Sequence, residues 1–369
     1  MVFKTGDIND MLDFARGKKL VCFGEVSELE YLCELFSSHN LREHIDSVVG
    51  TPLRFAKQSA GMASLQDTMY RVPTVLLFVR LEMFIDFYSS PAYGLFGDTA
   101  FYVGDFLIHT PPSYCLPEYS PEKGKPLIPK ILHYCWFGGN PLHPLHVKCV
   151  ESWKKFCPDY EIIEWNEKNY DVTKNPYMYE AYKAEKWAFV SDYARLDAVY
   201  NYGGIYVDAD VELVKPLDRF LCDTAFCGVD NPGCAALGPP FGAVPNHDFI
   251  GSLRDMYNNI SFIKDDGSLN LLPNTSYHER IFRRLGLTVE NKTQRIYGMT
   301  VYPTDVFSPL HPKLAIESYT ENTHAIHHFA WTWGADGEVR HKCLVVKRAR
   351  ELLASLHECN PYKVPFDRS

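Results

Sequence analysis

The chain has 369 residues, 46% of them hydrophobic and 22% charged, with a formal net charge of -9. That length exceeds what one core usually organises, about 100 to 200 residues, and predicts two domains or one enlarged α/β domain. The acidic balance, with no basic run rising above it, excludes the electrostatic footprint of a nucleic-acid binder.

The opening residues never make an uninterrupted apolar stretch, so no secretory leader is expected. "KKLVCFGEVSELEYLCELF" reads as a strand from Leu20 to Phe23, a turn at Gly24 and an amphipathic helix, the start of a Rossmann-like βα unit. One glycine stands there where a dinucleotide fingerprint needs three, so close approach to a pyrophosphate is not provided for. The most apolar window, "VPTVLLFVRLEMFIDFY", carries Arg80, Glu82 and Asp86 and predicts a buried strand and a helix, not a bilayer span. "TAFYVGDFLIH" supplies a third strand. Six prolines between Thr110 and Pro129 then mark a linker. The expected organisation is a smaller Rossmann-like α/β domain of unknown role over residues 1–118, a linker over 119–128 and a second α/β domain over 129–369.

In the second domain, "KILHYCWFGG" predicts a strand, "HVKCVESWKKF" a helix and "YEIIEWN" a strand. "AEKWAFVSDYARLDAVYNYGG" comes next as a helix stopped by glycines, and "IYVDAD" as another strand. This alternation predicts a mainly parallel sheet, whose ligands lie at the carboxyl ends of its strands. Eleven cysteines without CxxC or zinc spacing fit reduced thiols in a cytoplasm. Cys135, Cys149 and Cys157 have no base pattern near them for nucleophilic chemistry. Sequons at Asn259, Asn274 and Asn291 match a glycosylation pattern that is common by chance.

The chemistry concentrates in "NYGGIYVDADVELV". Read with period 2, Ile205, Val207, Ala209 and Val211 take one face and Tyr206, Asp208, Asp210 and Glu212 the other. Two carboxylates so spaced at a strand end suit one hard cation, Mn2+ or Mg2+, shared with substrate phosphates. A solvated strand end would carry such acids without function. Asp192 and Arg195, three apart on the preceding helix, share a face and lead through Gly203 and Gly204 to the same rim. An acid and a cation beside a metal and a diphosphate are what a sugar donor needs. An EF-hand is excluded, because Leu213 stands where its loop needs glycine and Arg219 where it needs glutamate.

The stretch "WAFVSDYARLDAVYNYGGIYVDADVELVKPLD" resembles the DXD core of the glycosyltransferases that include yeast-type mannosyltransferases and bacterial capsular polysaccharide sugar transferases, distantly similar to glucosylating toxins. "IPKILHYCWFGG" is similar to the family's opening strand and "AIHHFAWTW" to its closing segment, so the resemblance spans about residues 127–335. It implies a GT-A fold over residues 129–369, a nucleotide-sugar donor and a divalent metal. Asp208 and Asp210 would engage metal and ribose or diphosphate, and Asp192 and Arg195 the donor sugar. Trp136 matches an aromatic that stacks on uracil in the toxins, and Tyr206 one that lines the nucleotide pocket. His327 or His328 would approach the metal, and Trp333 would close over the phosphates. The family usually ends "GSW", whereas Trp331 and Thr332 stand here in place of glycine and serine.

The resemblance implies a metal-dependent, retaining hexosyltransferase working in the cytoplasm or at the inner membrane surface. Its donor would be a nucleotide sugar, UDP-linked on the Trp136 match, with GDP-mannose as the other option. Its acceptor would be a glycan or lipid-linked saccharide, as in capsular or surface polysaccharide synthesis. Two rivals stand beside it. "IYVDADVEL" also fits the nucleophile strand of HAD phosphohydrolases, with "FIKDDG" as a later acidic motif, although the glycine pair and Asp192/Arg195 have no role there. A sugar-binding relative that has lost turnover is the non-enzyme alternative.

Overall fold

A computed structural model of the chain describes residues 2–4, 7–49, 72–88, 99–108, 116, 125–231, 234–311 and 316–330. Two compact units form, one chiefly within Met1–Pro111 and the other chiefly Pro112–His311 with Glu317–Asp336.

The first unit is a five-stranded sheet in the order Val2–Phe3, Ala100–Val103, Thr74–Phe78, Lys19–Phe23, Ser47–Val49, with every neighbouring pair parallel. The apolar runs read from the sequence supply its central strands, and burial on both faces explains why they do not alternate. Asp7 and Asp10 form a reciprocal capping box that starts the Ile8–Ala15 helix. Phe84 stacks on Phe101 at 4.4 Å and Phe23 on Phe78 at 5.0 Å, filling the layer between sheet and helices. Gly24 serves packing: a Cβ there would lie 2.6 Å from Val79 Cγ2. The space beside that turn is taken by the neighbouring strand end.

The second unit is built on an eight-stranded sheet whose main path runs Gln294–Ile296, Met299–Tyr302, Ala225–Asn231, Phe241–Ala243, Gly204–Tyr206, Ile131–Cys135, Glu161–Trp165. The last three strands of that path are parallel, as the βαβ alternation requires. Beyond Gly204–Tyr206 the sheet turns mixed, since Phe241–Ala243 pairs antiparallel with both neighbours. Parallel pairing returns between Ala225–Asn231 and Met299–Tyr302, so the expected mainly parallel sheet is interrupted by antiparallel pairs. The Trp187–Tyr202 helix lies in the middle of this unit, with every residue from Phe189 to Val199 buried.

The helix Pro144–Phe156 is pinned along a separate short strand, Val211–Leu213. Trp153 Nε1 donates to Val211 O at 2.7 Å, and Leu213 N donates to Ser152 Oγ at 2.9 Å. Val211–Leu213 pairs antiparallel with Ala325–His327, with His327 opposite Val211. These two pairings carry the first and last motifs of the unit to the same place. Among the described residues, no helix is long and apolar enough to cross a membrane.

Candidate active site

The site begins with the glycine pair. Gly203 caps the Trp187–Tyr202 helix at φ 66° and Gly204 comes next at φ 93°, both in the left-handed region that favours glycine. A Cβ on Gly204 would also lie 2.8 Å from Ile131 O. Buried His133 locks the reversal, its Nε2 2.7 Å from Gly203 O, while its Nδ1 accepts from Trp165 Nε1 at 3.2 Å. The chain therefore folds straight back into Gly204–Tyr206, and the helix residues Asp192 and Arg195 come to lie beside the carboxyl end of that strand.

The strand stops at Tyr206 and gives way to a turn. Asp208 to Asp210 form a reversal closed by Val211 N donating to Asp208 O at 3.0 Å. The period-2 assignment of Tyr206, Asp208, Asp210 and Glu212 to one strand face is corrected accordingly. A bend, not alternation, gathers the two carboxylates. Nor are they solvated, with side-chain exposures of 24% for Asp208 and 14% for Asp210.

Asp208 faces Arg195. Arg195 Nη2 lies 3.3 Å from Asp208 Oδ1 and 3.4 Å from Asp192 Oδ1, so the cation stands between the two acids. The remaining donors are fixed by Ser191 O at 3.1 Å, Ser191 Oγ at 2.7 Å and Leu237 O at 2.8 Å. A guanidinium held this fully in a buried position cannot swing away, which makes the pair more than a surface ion pair. Burial pushes the Asp192 carboxyl up to about 6 against the pull of Arg195. Tyr206 is placed inside the unit, 1% exposed, with its hydroxyl donating to Asp208 Oδ1 at 3.0 Å and its ring 4.8 Å from the Arg195 guanidinium. It braces Asp208 and Arg195 instead of lining an open nucleotide pocket.

Asp210 faces His327, whose Nε2 lies 3.5 Å from Asp210 Oδ1. Ala330 N donates to Asp210 Oδ2 at 2.8 Å. Burial works against ionisation of Asp210, yet the imidazole holds its carboxyl well below the usual carboxylate range. Asp208 is pushed up by burial, with Arg195 opposing and the like charge of Asp210 adding to the rise. His328, the neighbouring residue, turns the other way, its Nε2 2.9 Å from Glu212 Oε2. The strand pairing therefore selects His327 for the carboxylate pair.

Ligating atoms of Asp208, Asp210 and His327 all lie within 4.8 Å of one another. The donor set, two carboxylate oxygens and an imidazole nitrogen, fits Mn2+ or Mg2+. Like-charged acids held largely out of water are what a bound cation relieves.

Trp136 lies just past the Ile131–Cys135 strand, partly buried, with Nε1 donating to Asn140 O at 2.6 Å. Trp331, Thr332 and Trp333 lie outside the described residues. Several residues at the site carry no signal in the sequence. Asn274, read there only as a sequon, sends Nδ2 to Asp192 Oδ1 at 2.6 Å. Asn291, the third sequon, lies apart from the site, buried with Nδ2 donating to Thr304 Oγ1 at 3.0 Å. Asp230 Oδ1 lies 3.5 Å from His327 Nδ1 and accepts from Ser308 Oγ at 2.8 Å. Gly238 O accepts from Asp208 N at 2.9 Å, and a Cβ on Gly238 would collide with the Asp208 carboxylate. A glycine shortly after "DNPG" has no pattern that sets it apart.

Residues 144–227 match the family described as "Glycosyltransferase sugar-binding region containing DXD motif". Through this match the second unit is similar to the DXD-containing glycosyltransferases. The matched segment runs from the helix Pro144–Phe156 through Asp192, Arg195 and the Asp208–Asp210 turn. Among relatives, inositol phosphoceramide mannosyltransferase 2 of Schizosaccharomyces pombe is 27% identical over 150 residues, covering 38% of this chain and 41% of that protein. Mannosyl phosphorylinositol ceramide synthase CSH1 of Saccharomyces cerevisiae is 28% identical over 133 residues, 35% of each chain. The match thus spans about two-fifths or less of either relative's length. Among solved structures, a glycosyltransferase involved in the glycosylation of the major capsid of PBCV-1 aligns with 58% of this chain and 99% of its own at 11% identity and a TM-score of 0.33. The PaToxG glycosyltransferase aligns with 35% of this chain and 58% of its own at 18% identity and a TM-score of 0.29. At those scores neither superposition bears on the chemistry.

Proposed function

We propose that the chain is a metal-dependent, retaining glycosyltransferase of GT-A architecture that moves a hexose from a nucleotide sugar to a glycan or lipid-linked acceptor. The observation that carries this reading is the placement of the Asp208, Asp210 and His327 cluster directly beside the Asp192–Arg195 pair. Asp208, Asp210 and His327 would hold a divalent cation, which would supply positive charge beside the diphosphate of the donor. Trp136 is the candidate platform for the base. Asp192, with one oxygen held by Asn274, accepts from a hydroxyl of the donor sugar. Arg195, fixed by Ser191 and Leu237, stabilises charge on the sugar side without reorganising.

Retention is expected in this reading because each carboxylate is committed to another partner. Asp192 Oδ1 meets Asn274 and Arg195 while its second oxygen takes the donor hydroxyl, Asp208 is engaged by Tyr206 and Arg195, and Asp210 by Ala330 N and His327. The departing phosphate oxygen is then the base for the acceptor hydroxyl, on the face it leaves. The yeast relatives' names bring mannose and an inositol-phosphate lipid into the range of donors and acceptors, alongside the UDP-linked hexose and the capsular or surface saccharide expected from sequence. The cytoplasm, with access to the inner membrane surface, suits such acceptors.

The test is a panel of UDP- and GDP-sugars screened by thermal shift with and without Mn2+. A donor at about a hundredfold its dissociation constant stabilises the folded state by about 2.7 kcal/mol. A Mn2+-dependent shift by one donor class supports the reading. No shift from any, together with an aspartyl-phosphate formed from phosphomonoesters, would move the protein to the HAD phosphohydrolases.

A further inference from the structure

His146 is the third residue of the Pro144–Phe156 helix and is 3% exposed. Its Nδ1 is enclosed without a hydrogen-bond partner among the described residues. Buried imidazole nitrogens are seldom left so, because an unmet partner costs more than a made bond gains. The ring packs against Trp136 with centroids 4.8 Å apart. Lys148 Nζ is 2.8 Å from Glu212 Oε2, and the Ser152 and Trp153 bonds fix the helix along Val211–Leu213, the strand that continues directly from Asp210. Asp210 also acts electrostatically on His146, while burial keeps the imidazole neutral by lowering its pKa.

The start of this helix is open. His143 at the N-cap gives no side-chain bond, Pro144 has no N–H, and no acid lies in the first turn. Among the described residues, nothing accepts from the N–H of Leu145 or His146. Asp210 does not serve as the cap, since its oxygens are taken by Ala330 N and His327. Open backbone donors at a helix start attract an anion, and a neutral imidazole beside them adds a donor of its own.

We propose that His146 and the open first turn of its helix hold the phosphate-bearing part of a nucleoside diphosphate, between Trp136 and the Asp208–Asp210 turn. This rests on the nucleotide-sugar reading above. His146 touches Trp136, where the base would lie, and is within electrostatic reach of Asp210, where the far end of the diphosphate would meet the carboxylate turn, so it is placed to meet the phosphates between them. The sequence hides this role because "LHPLHVKC" shows no glycine-rich loop, only a proline-started helix.

The test uses the full chain in Mn2+ and titrates uridine and guanosine, then UDP and GDP, by calorimetry into wild type, His146→Gln and His146→Phe. His146→Phe is expected to lose about tenfold or more in diphosphate affinity, with nucleoside affinity within about twofold, and His146→Gln to recover most of it. In 15N-histidine-labelled wild type, the His146 ring resonances are expected to move with the diphosphate and not with the nucleoside. That measurement decides the matter even where a variant fails to fold. Equal losses for nucleoside and diphosphate, unchanged affinities, or a His146 resonance indifferent to phosphate would overturn the assignment alone. A wild type that binds neither UDP nor GDP overturns both the assignment and the reading beneath it.

Discussion

Asp208 Oδ1 accepts the Tyr206 hydroxyl at 3.0 Å and lies 3.3 Å from Arg195 Nη2, while the Arg195 guanidinium sits 4.8 Å over the Tyr206 ring. The aromatic ring thus carries the cation, and its hydroxyl aims the acid that the cation pairs with. Tyr206→Phe separates the two tasks. It keeps the ring under Arg195 and removes the bond that orients Asp208, at a stability cost of about 1 kcal/mol. Manganese affinity measured by calorimetry should fall several-fold while the fold persists. Unchanged affinity would show that Arg195 alone orients Asp208.

Gly238→Ala probes the same acid from the backbone side. The added Cβ would collide with the Asp208 carboxylate and lie 3.3 Å from Arg195 Nη1. The strain has an outlet in a shifted side chain, so the melting temperature should move by only a few degrees, about 1 kcal/mol. Manganese affinity and donor turnover should drop together. A variant that melts normally and turns over normally would mean that the Asp208 position is not critical.

His278 offers a test of acid stability away from the carboxylate turn. It is wholly buried, both ring nitrogens lack partners among the described residues, and burial with the nearby Arg195 charge lowers its pKa to about 3. A base with a depressed folded pKa contributes stability above its unfolded value, about 6.5, that is lost as pH falls toward the folded value. His278→Leu removes that proton linkage and two unmet polar atoms. Its stability at pH 7 should equal or exceed wild type, and the gap should widen by up to about 1.4 kcal/mol per pH unit below about 6.5. Buried His133 and His324, both lowered to about 4, keep a residual acid slope in the variant. Urea unfolding at several pH values reads this directly, and parallel curves for the two proteins would contradict it.

The order of strands and helices around the site is legible in the sequence because local signals agree: apolar runs, a glycine pair to end the Trp187–Tyr202 helix, and proline to start Pro144–Phe156. The Asp208–Asp210 turn is not, since "IYVDADVEL" alternates as a strand does and only the Asp208–Val211 closure reveals the bend. The choice between His327 and His328 needs the register against Val211, because adjacent residues on a strand point to opposite faces. Asn274 and Asp230 come to the site from separate elements, and no local pattern marks a residue such as Asn274, whose partner is 82 positions away. The mixed half of the sheet escapes for a related reason: Phe241–Ala243 is three residues long and comes after a run of small residues and prolines.

The most direct measurement is turnover of the donor selected by thermal shift, with and without Mn2+, in wild type, Asp208→Asn and Asp210→Asn. Both variants keep the shape of the turn while removing a charge from the set formed with His327. Wild type should release the nucleotide only with the metal, and each variant should lose about 10²–10³-fold in turnover while remaining folded by circular dichroism. Near wild-type turnover in either variant with Mn2+, or full activity of the wild type after chelation, would contradict a catalytic metal held by Asp208 and Asp210.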